Sequence, residues 1–265
     1  ADGTDITCCP ERKMQKLRGR LFSMVFQDPM TALNPTIPVG KQIAEAVQVH
    51  RPRMPKAALQ RRVADLLELV GLEPGKARFY PHQLSGGMRQ RSVMAAALAS
   101  EPRILFADEP TTALDVTVQA QILDLLRDIQ KTLGTATVFV SHDLGVVARV
   151  ADRVAVMYAG KIVEIGTAEE IFYEPRHPYT WGLLQALPAC ARNGEPLYTI
   201  PGTPPAMLHP PKGDAFASRN RYALAIDYEE APPMFQISET HFAATWLLDS
   251  RAPLVESPLK GGFYG

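Results

Sequence analysis

The feature that most restricts the fold is the run Ile104-Leu105-Phe106-Ala107, closed directly by Asp108 and Glu109. Four apolar residues in succession, without polar alternation, read as a central strand of a parallel sheet, buried on both faces. Carboxylates at its carboxyl end stand where open α/β sheets gather their ligands. The rest of the chain supports such a sheet. Strand-like runs at 21–26, 103–107, 137–140, 154–158 and 161–165 alternate with helical periodicity at 86–100 and 117–133 and a short helix from Leu144. A further helix from Ala57 sets Leu59, Val63, Leu66, Leu67 and Val70 on one face and Arg61, Arg62, Asp65 and Glu68 on the other, with Gly71 as its stop. The opening "DGTDITCC" reads as a turn into a short strand. Strands and helices in alternation predict an α/β sheet, largely parallel, with helices packed on it.

The texture changes near residue 188. Ten of the 23 prolines follow residue 195 and periodicity fades. This predicts an irregular C-terminal extension, anchored by Phe216, Tyr222, Phe235, Trp246, Leu247 and Leu248. A formal net charge of zero gives no global field that would draw the chain to nucleic acid or anionic lipid. Apolar runs such as 93–99 are too short to span a bilayer, so any tie to a membrane must run through a partner. The three cysteines, Cys8, Cys9 and Cys190, are odd in number and lack CxxC spacing, which fits unpaired thiols in a reducing compartment.

Four stretches carry chemistry. Asp108 and Glu109 together suit a magnesium ion and the orientation of a water for attack on phosphate, although "DEP" alone reads as well as a solvated acidic turn. In "LSGG", Ser85 is a good N-cap, and Gly86 and Gly87 leave the first N–H groups of a helix open to an anion. For three residues, a merely capped helix is an equal reading. Gln27 follows a strand and could reach a metal or a water. His142, in "SHD" after another strand, could hydrogen-bond a γ-phosphate.

Taken in order, Gln27, "LSGGMRQR", "ILFADEPTTALD" and "VFVSHD" resemble the ATP-binding-cassette (ABC) ATPases. In that family "LSGGM" corresponds to the signature motif, "ILFADE" to the Walker B strand and "TALD" to the D-loop, while "FQDP" corresponds to the Q-loop and His142 to the switch histidine. The resemblance implies an ABC-type P-loop NTPase fold, incomplete at the N-terminus, with an inserted helical subdomain over about 28–88. It implies an ATPase domain over 1–187 and an extension over 188–265. Glu109, His142 and Gln27 would take catalytic roles; Ser85, Gly86, Gly87, Met88 and Asp115 would face ATP; Asp108 and Gln27 would hold Mg2+.

"FQDPMTALNP", "VQAQILDLL", "HPYTWGLLQALP" and "IPGTPP" further resemble the peptide-permease branch, importers of oligopeptides, dipeptides or nickel. Many members carry four cysteines in the extension that hold an iron–sulfur cluster. The matching positions here are Asp214, Asn220, Asp227 and Thr245, so no cluster is expected. This departure favours the oligopeptide subtype. The partners implied are membrane permease subunits, a second ABC ATPase (a paralogue, head to tail) and, indirectly, an extracellular peptide-binding protein, with no nucleic acid. The expected location is peripheral, at the cytoplasmic face of the membrane.

One part of the family pattern is missing. No glycine-rich loop of the form G-x-x-x-x-G-K-[ST] occurs, and the Gly-Lys pairs at 40–41, 75–76 and 160–161 lack its other residues. The expectation is a subunit without its N-terminal portion, with apolar sheet surface exposed as a result. It would be unable to grip its own ATP, yet able to offer Ser85, Gly86 and Gly87 to ATP held by a partner. A non-hydrolytic fragment that only binds permease or partner ATPase is the alternative. A soluble ABC protein of DNA repair or translation is disfavoured by the absence of a long heptad run.

Overall fold

A computed structural model describes residues 5–112, 114–188, 197–206, 208 and 210–259. The chain divides into two compact units, residues 1–142 and 143–265.

The first unit contains α1 (Glu11–Leu17), β1 (Phe22–Val25), α2 (Pro29–Ala32), α3 (Val39–His50), α4 (Lys56–Leu69), α5 (Gly86–Ala97), β2 (Ile104–Asp108), α6 (Val116–Leu133) and β3 (Ala136–Val140). The three strands form a parallel sheet in the order β1-β2-β3, with Met24 beside Phe106 and Phe106 beside Val138. The apolar stripe expected on α4 faces inward: Leu59, Val63, Leu66, Leu67 and Val70 join one core with Ile43 and Val47 of α3 and Val93 and Met94 of α5. Gly71 takes φ +70° just past that helix, the left-handed position a C-terminal stop requires. Helix α6 starts on the Asp115 side chain, which accepts from the Val118 N–H, and ends at Gly134 with φ +63°.

Two expectations fail in this unit. Residues 5–9 form a turn, with no strand, and α1 follows them with no buried residue. Among the described residues the stretch meets no second strand to pair with, and an unpaired strand leaves its backbone groups unsatisfied. Strand β2 is also not buried on both faces. Leu105 and Ala107 are fully buried against the helical core, while Phe106 is 36% exposed. Met24, Val138 and Val140 share this open face, all more than 40% exposed. The side chains alternate as a strand demands, and among the described residues of this unit only one face is covered.

The second unit contains α7 (Leu144–Val150), β4 (Arg153–Tyr158), β5 (Lys161–Thr167), α8 (Ala168–Tyr173), α9 (Pro178–Gln185), β6 (Phe235–Gln236) and β7 (Phe242–Ala243). Its sheet runs β4-β5-β7-β6 and every pairing in it is antiparallel, which corrects the expectation of a largely parallel sheet for this part of the chain. The cause is local. Ala159 (φ +48°) and Gly160 (φ +77°) are both left-handed, so β4 and β5 join through a two-residue hairpin rather than a crossover.

The extension is irregular as expected, built of short 3₁₀ turns at 217–219, 225–228 and 246–248, but it is not separate from the sheet. β7 pairs with β5, and Phe216 is buried in one cluster with Val154, Val156, Tyr158 and Val163. Among the other expected anchors, Trp246 donates its indole N–H to the Glu230 carbonyl and meets the Phe235 ring edge-on. Glu164 on β5 is wholly buried and accepts from the backbone N–H of Arg176 (2.6 Å), that of His177 (3.1 Å) and His241 Nε2 (2.8 Å). Cys8 and Cys9 are free thiols, and Cys190 lies outside the described residues.

Candidate functional site

The strand ends of the first unit converge on one carboxylate. Glu109 follows β2 immediately with φ +43°, a region that non-glycine residues enter only under constraint. The constraint is visible: its N–H donates to the Val140 carbonyl at 2.9 Å, stitching the end of β2 to the end of β3. From there the Glu109 side chain accepts from Gln27 Nε2 (2.8 Å) and Thr112 Oγ1 (2.9 Å) through Oε2. Its Oε1 lies 2.9 Å from His142 Nδ1. Gln27 arrives from just beyond β1 and His142 from just beyond β3, so all three parallel strands contribute to the cluster.

These contacts hold the Glu109 carboxyl below its ordinary range, the His142 hydrogen bond first, then that of Thr112, with Gln27 adding less. Such a carboxylate is ionised at neutral pH and fixed in direction. It suits the orientation and polarisation of a water more than the outright removal of a proton, for which a higher pKa serves better. Of the three residues read as catalytic, the structure brings Gln27, Glu109 and His142 into direct contact. Thr112 was missed. Its only signal in the sequence was position, the i+3 hydroxyl after a strand-end glutamate.

Asp108 ends β2 beside Val140, and its carboxylate takes no hydrogen bond among the described residues. Gln27 donates from its amide nitrogen to Glu109, and its carbonyl oxygen takes no hydrogen bond among the described residues. One free carboxylate and one amide oxygen are hard ligands that fit Mg2+, with water and phosphate oxygens required to complete its shell. The described residues contain no group of three or more His, Cys, Asp or Glu able to hold a metal without such help.

The other residues expected to face ATP form a second constellation. Ser85 caps α5 by accepting from the Met88 N–H at 3.3 Å, and Gly86 and Gly87 open the helix. A Cβ on Gly87 would stand 2.6 Å from Val118 Cγ1, so the bare backbone is needed for α5 to close on α6. The glycine therefore has a packing reason besides any ligand. Asp115 caps α6, and Met88 is half-buried against the core, so both have structural partners. Ser85 itself is exposed.

The four positions matched to cluster cysteines share a different occupation. Asp214, Asn220 and Thr245 each accept from the backbone N–H two residues on, and Asp227 accepts from that of Leu224. Burial raises the pKa of both Asp214 and Asp227. They are oxygen acceptors closing turns, and oxygen is a poor substitute for the thiolates that iron–sulfur clusters take.

Comparison with known proteins places these features. The ABC transporter family matches residues 1–112, and the family described as oligopeptide/dipeptide transporter, C-terminal region, matches residues 163–226. The chain is 57% identical to the oligopeptide transport ATP-binding protein OppD of Bacillus subtilis, over 97% of this chain and 72% of that one. It is also 57% identical to the dipeptide transport ATP-binding protein DppD of Lactococcus lactis, over 96% of this chain and 73% of that one. A solved post-hydrolysis dimer of an ATP-binding cassette, bound to ADP and Pi, superposes with a TM-score of 0.56 at 28% identity, over 63% of this chain and 72% of that one. With a cassette fold, strand ends gathered on Glu109 and relatives this similar along nearly its whole length, the chain belongs to the ABC transporter ATP-binding proteins, in their oligopeptide/dipeptide branch.

Proposed function

We propose that the chain is the ATP-binding and ATP-hydrolysing motor subunit of a peptide importer, oligopeptides being the favoured cargo. The observation that carries this is the convergence of Gln27, Thr112 and His142 on Glu109 at the carboxyl ends of the three parallel strands. Glu109 holds and polarises the attacking water. His142 keeps the carboxylate ionised and directed, and faces the γ-phosphate. Gln27 links the state of the site to the stretch that follows it. Asp108 and the Gln27 carbonyl are the residues that would hold Mg2+, which supplies charge neutralisation on the phosphates when bound.

The preference for oligopeptides rests on the oxygen side chains at the four extension positions; the two relatives named for oligopeptide and dipeptide transport are equally identical to the chain. The reading of 28–88 as a helical subdomain that receives a membrane subunit, and of 188–265 as an appendage, belongs to the same proposal. So do the paralogous, head-to-tail partner ATPase and the peripheral location on the cytoplasmic face. No helix among the described residues is long and apolar enough to cross a membrane.

A second reading has its own observation. The sequence contains no G-x-x-x-x-G-K-[ST] loop, so the convergent N–H groups and lysine that grip a triphosphate are not among its motifs. On that reading the chain offers the Ser85-Gly86-Gly87 helix start to ATP held by a partner. The discriminating measurement is turnover by this chain, by an intact partner ATPase and by their mixture. Stimulation of the mixture that survives Glu109→Gln here and vanishes with Ser85→Arg supports the contribution in trans. Robust hydrolysis by this chain alone, abolished by Glu109→Gln, supports a complete motor whose phosphate site lies elsewhere.

A further inference from the structure

The second unit contains a cleft of about 160 Å3 that none of the nucleotide chemistry uses. Its walls include the buried rings of Trp181 and Phe216, with Tyr198 at the side and Arg219 and Arg221 among the lining residues. For scale, an apolar cavity of about 150 Å3 is enough for benzene. Gly182 helps to shape the cleft. A Cβ there would meet Ile200 at 2.8 Å and Tyr198 at 3.5 Å, so the bare glycine lets the 198–200 segment close against α9.

The charge in this cleft is unbalanced. Arg219 donates to the Pro201 carbonyl (2.8 Å), the Tyr158 hydroxyl (3.1 Å) and the Ile200 carbonyl (3.5 Å), all neutral acceptors. Arg221 lies over the Tyr198 ring, 5.0 Å from its centroid. Neither pairs with a carboxylate among the described residues, whereas Arg18, Arg51, Arg62, Arg176 and Arg251 all do. Arg219 is half-buried, where a positive charge satisfied only by neutral groups draws an anion strongly. Three of its five N–H donors are engaged, which fixes the guanidinium in place as a local positive field. Arg221 keeps its planar fork of N–H groups open, a geometry that matches a carboxylate edge to edge. The Gln185 amide, also in the lining and without a hydrogen-bond partner among the described residues, adds a polar contact.

We propose that this cleft binds a small organic carboxylate with an aromatic or apolar body, the body against the partly exposed rings of Tyr198 and Tyr222 and the carboxylate on Arg221. A peptide end with an apolar last residue belongs to that chemical class. The test reads Trp181 directly, since the chain has only two tryptophans and Trp246→Phe leaves it alone. Titration with N-acetylphenylalanine gives a saturable change in its fluorescence, and the uncharged N-acetylphenylalaninamide gives none. Arg221→Gln weakens binding about tenfold, the loss expected of one charge-assisted pair. That side chain is exposed and holds no backbone, so the variant stays folded where Arg219→Gln, with its three anchoring bonds, can fail. Gly182→Ala, which pushes the wall inward, weakens binding as well. A response that never saturates, an equal response to the amide, an unchanged affinity in Arg221→Gln, or binding of phenyl phosphate alone would each overturn the proposal. The measurement needs no nucleotide, so its failure leaves the ATPase reading untouched.

Discussion

Glu109 and Glu164 each hold a histidine at hydrogen-bond distance, 2.9 and 2.8 Å, yet the two pairs do opposite work. Around Glu109 the carboxylate side chain is 23% exposed and its histidine 74% exposed, the backbone is left-handed, and every partner is a side chain. Around Glu164 the side-chain exposures fall to 0% and 2%, the residue sits within β5 beside a bulge that leaves Val163 without a partner on β4, and two of the three donors are backbone N–H groups. A carboxylate held by side chains, in strained backbone and open to water, can exchange partners during a reaction. One held by backbone inside a sheet cannot, and it ties β5 to the turn before α9 and to β7 through His241. The same residue pair thus serves as working site or rivet according to what surrounds it.

The largest effect that would break this contrast belongs to the rivet. Glu164→Ala strands two backbone donors and a buried histidine, and the expected loss is about 3–5 kcal/mol of stability. Urea unfolding measures it, and a loss no larger than that of an exposed substitution would show that Glu164 is not holding the second unit together.

Next in size is a pH effect beside that pair. His177 is wholly buried, and burial depresses its pKa to about 4, with the nearby Glu164 charge opposing only in part. Its Nδ1 accepts from the Tyr179 N–H at 3.0 Å, a bond open only to the neutral ring. Between about pH 6.5 and pH 4 the unfolded chain binds a proton here that the folded chain refuses. Stability is therefore fully present above that window and falls with pH through it, by about 3 kcal/mol at the lower end. Glu109 has the same sign at lower pH: its depressed pKa favours the fold above the ordinary carboxylate range, and that contribution is lost on acidification. Unfolding midpoints between pH 7 and pH 4 should fall in the native chain and stay flatter in His177→Gln.

The third effect sharpens the contrast from the other side. In a version of the chain fused to a G-x-x-x-x-G-K-[ST] phosphate loop, Glu109→Gln should cut ATP turnover by at least about 100-fold, the loss expected when a positioned catalytic carboxylate is removed. It should change stability by no more than about 1 kcal/mol, far less than Glu164→Ala, because the amide keeps the shape and one acceptor oxygen of a side chain that is only partly buried. Thr112→Val, which removes one hydrogen bond from a neutral donor to the same ionised carboxylate, should slow turnover only about tenfold. Wild-type turnover in Glu109→Gln, or a large drop in stability, would place Glu109 with Glu164 as a structural residue.

Residues with a periodic or contiguous signature were legible before any coordinates. The stripe on α4, the cap Ser85 and the strand ending in Asp108 all follow from local spacing, which the backbone geometry of helix and strand converts directly into faces and ends. Gln27, Glu109 and His142 could be named from their positions after strands, but not joined. Their contact spans 82 and 33 residues of sequence and exists only because parallel strands align their carboxyl ends. The Ala159-Gly160 hairpin stayed hidden because alanine is not a residue that turn chemistry leads one to expect at positive φ. Glu164 and His241 drew no attention in the sequence, since nothing local marks residues 77 apart as partners.

The sequence by itself determined strands β1 to β5, helices α4 to α7 and which carboxylates stand at strand ends, because those properties depend on neighbours a few residues away. Tertiary structure alone decided that the second sheet is antiparallel, that one face of β2 is open, and that one Glu–His pair is exposed while the other is buried. Each of those depends on what covers a surface, and coverage is set by segments distant in the chain whose packing no local pattern encodes.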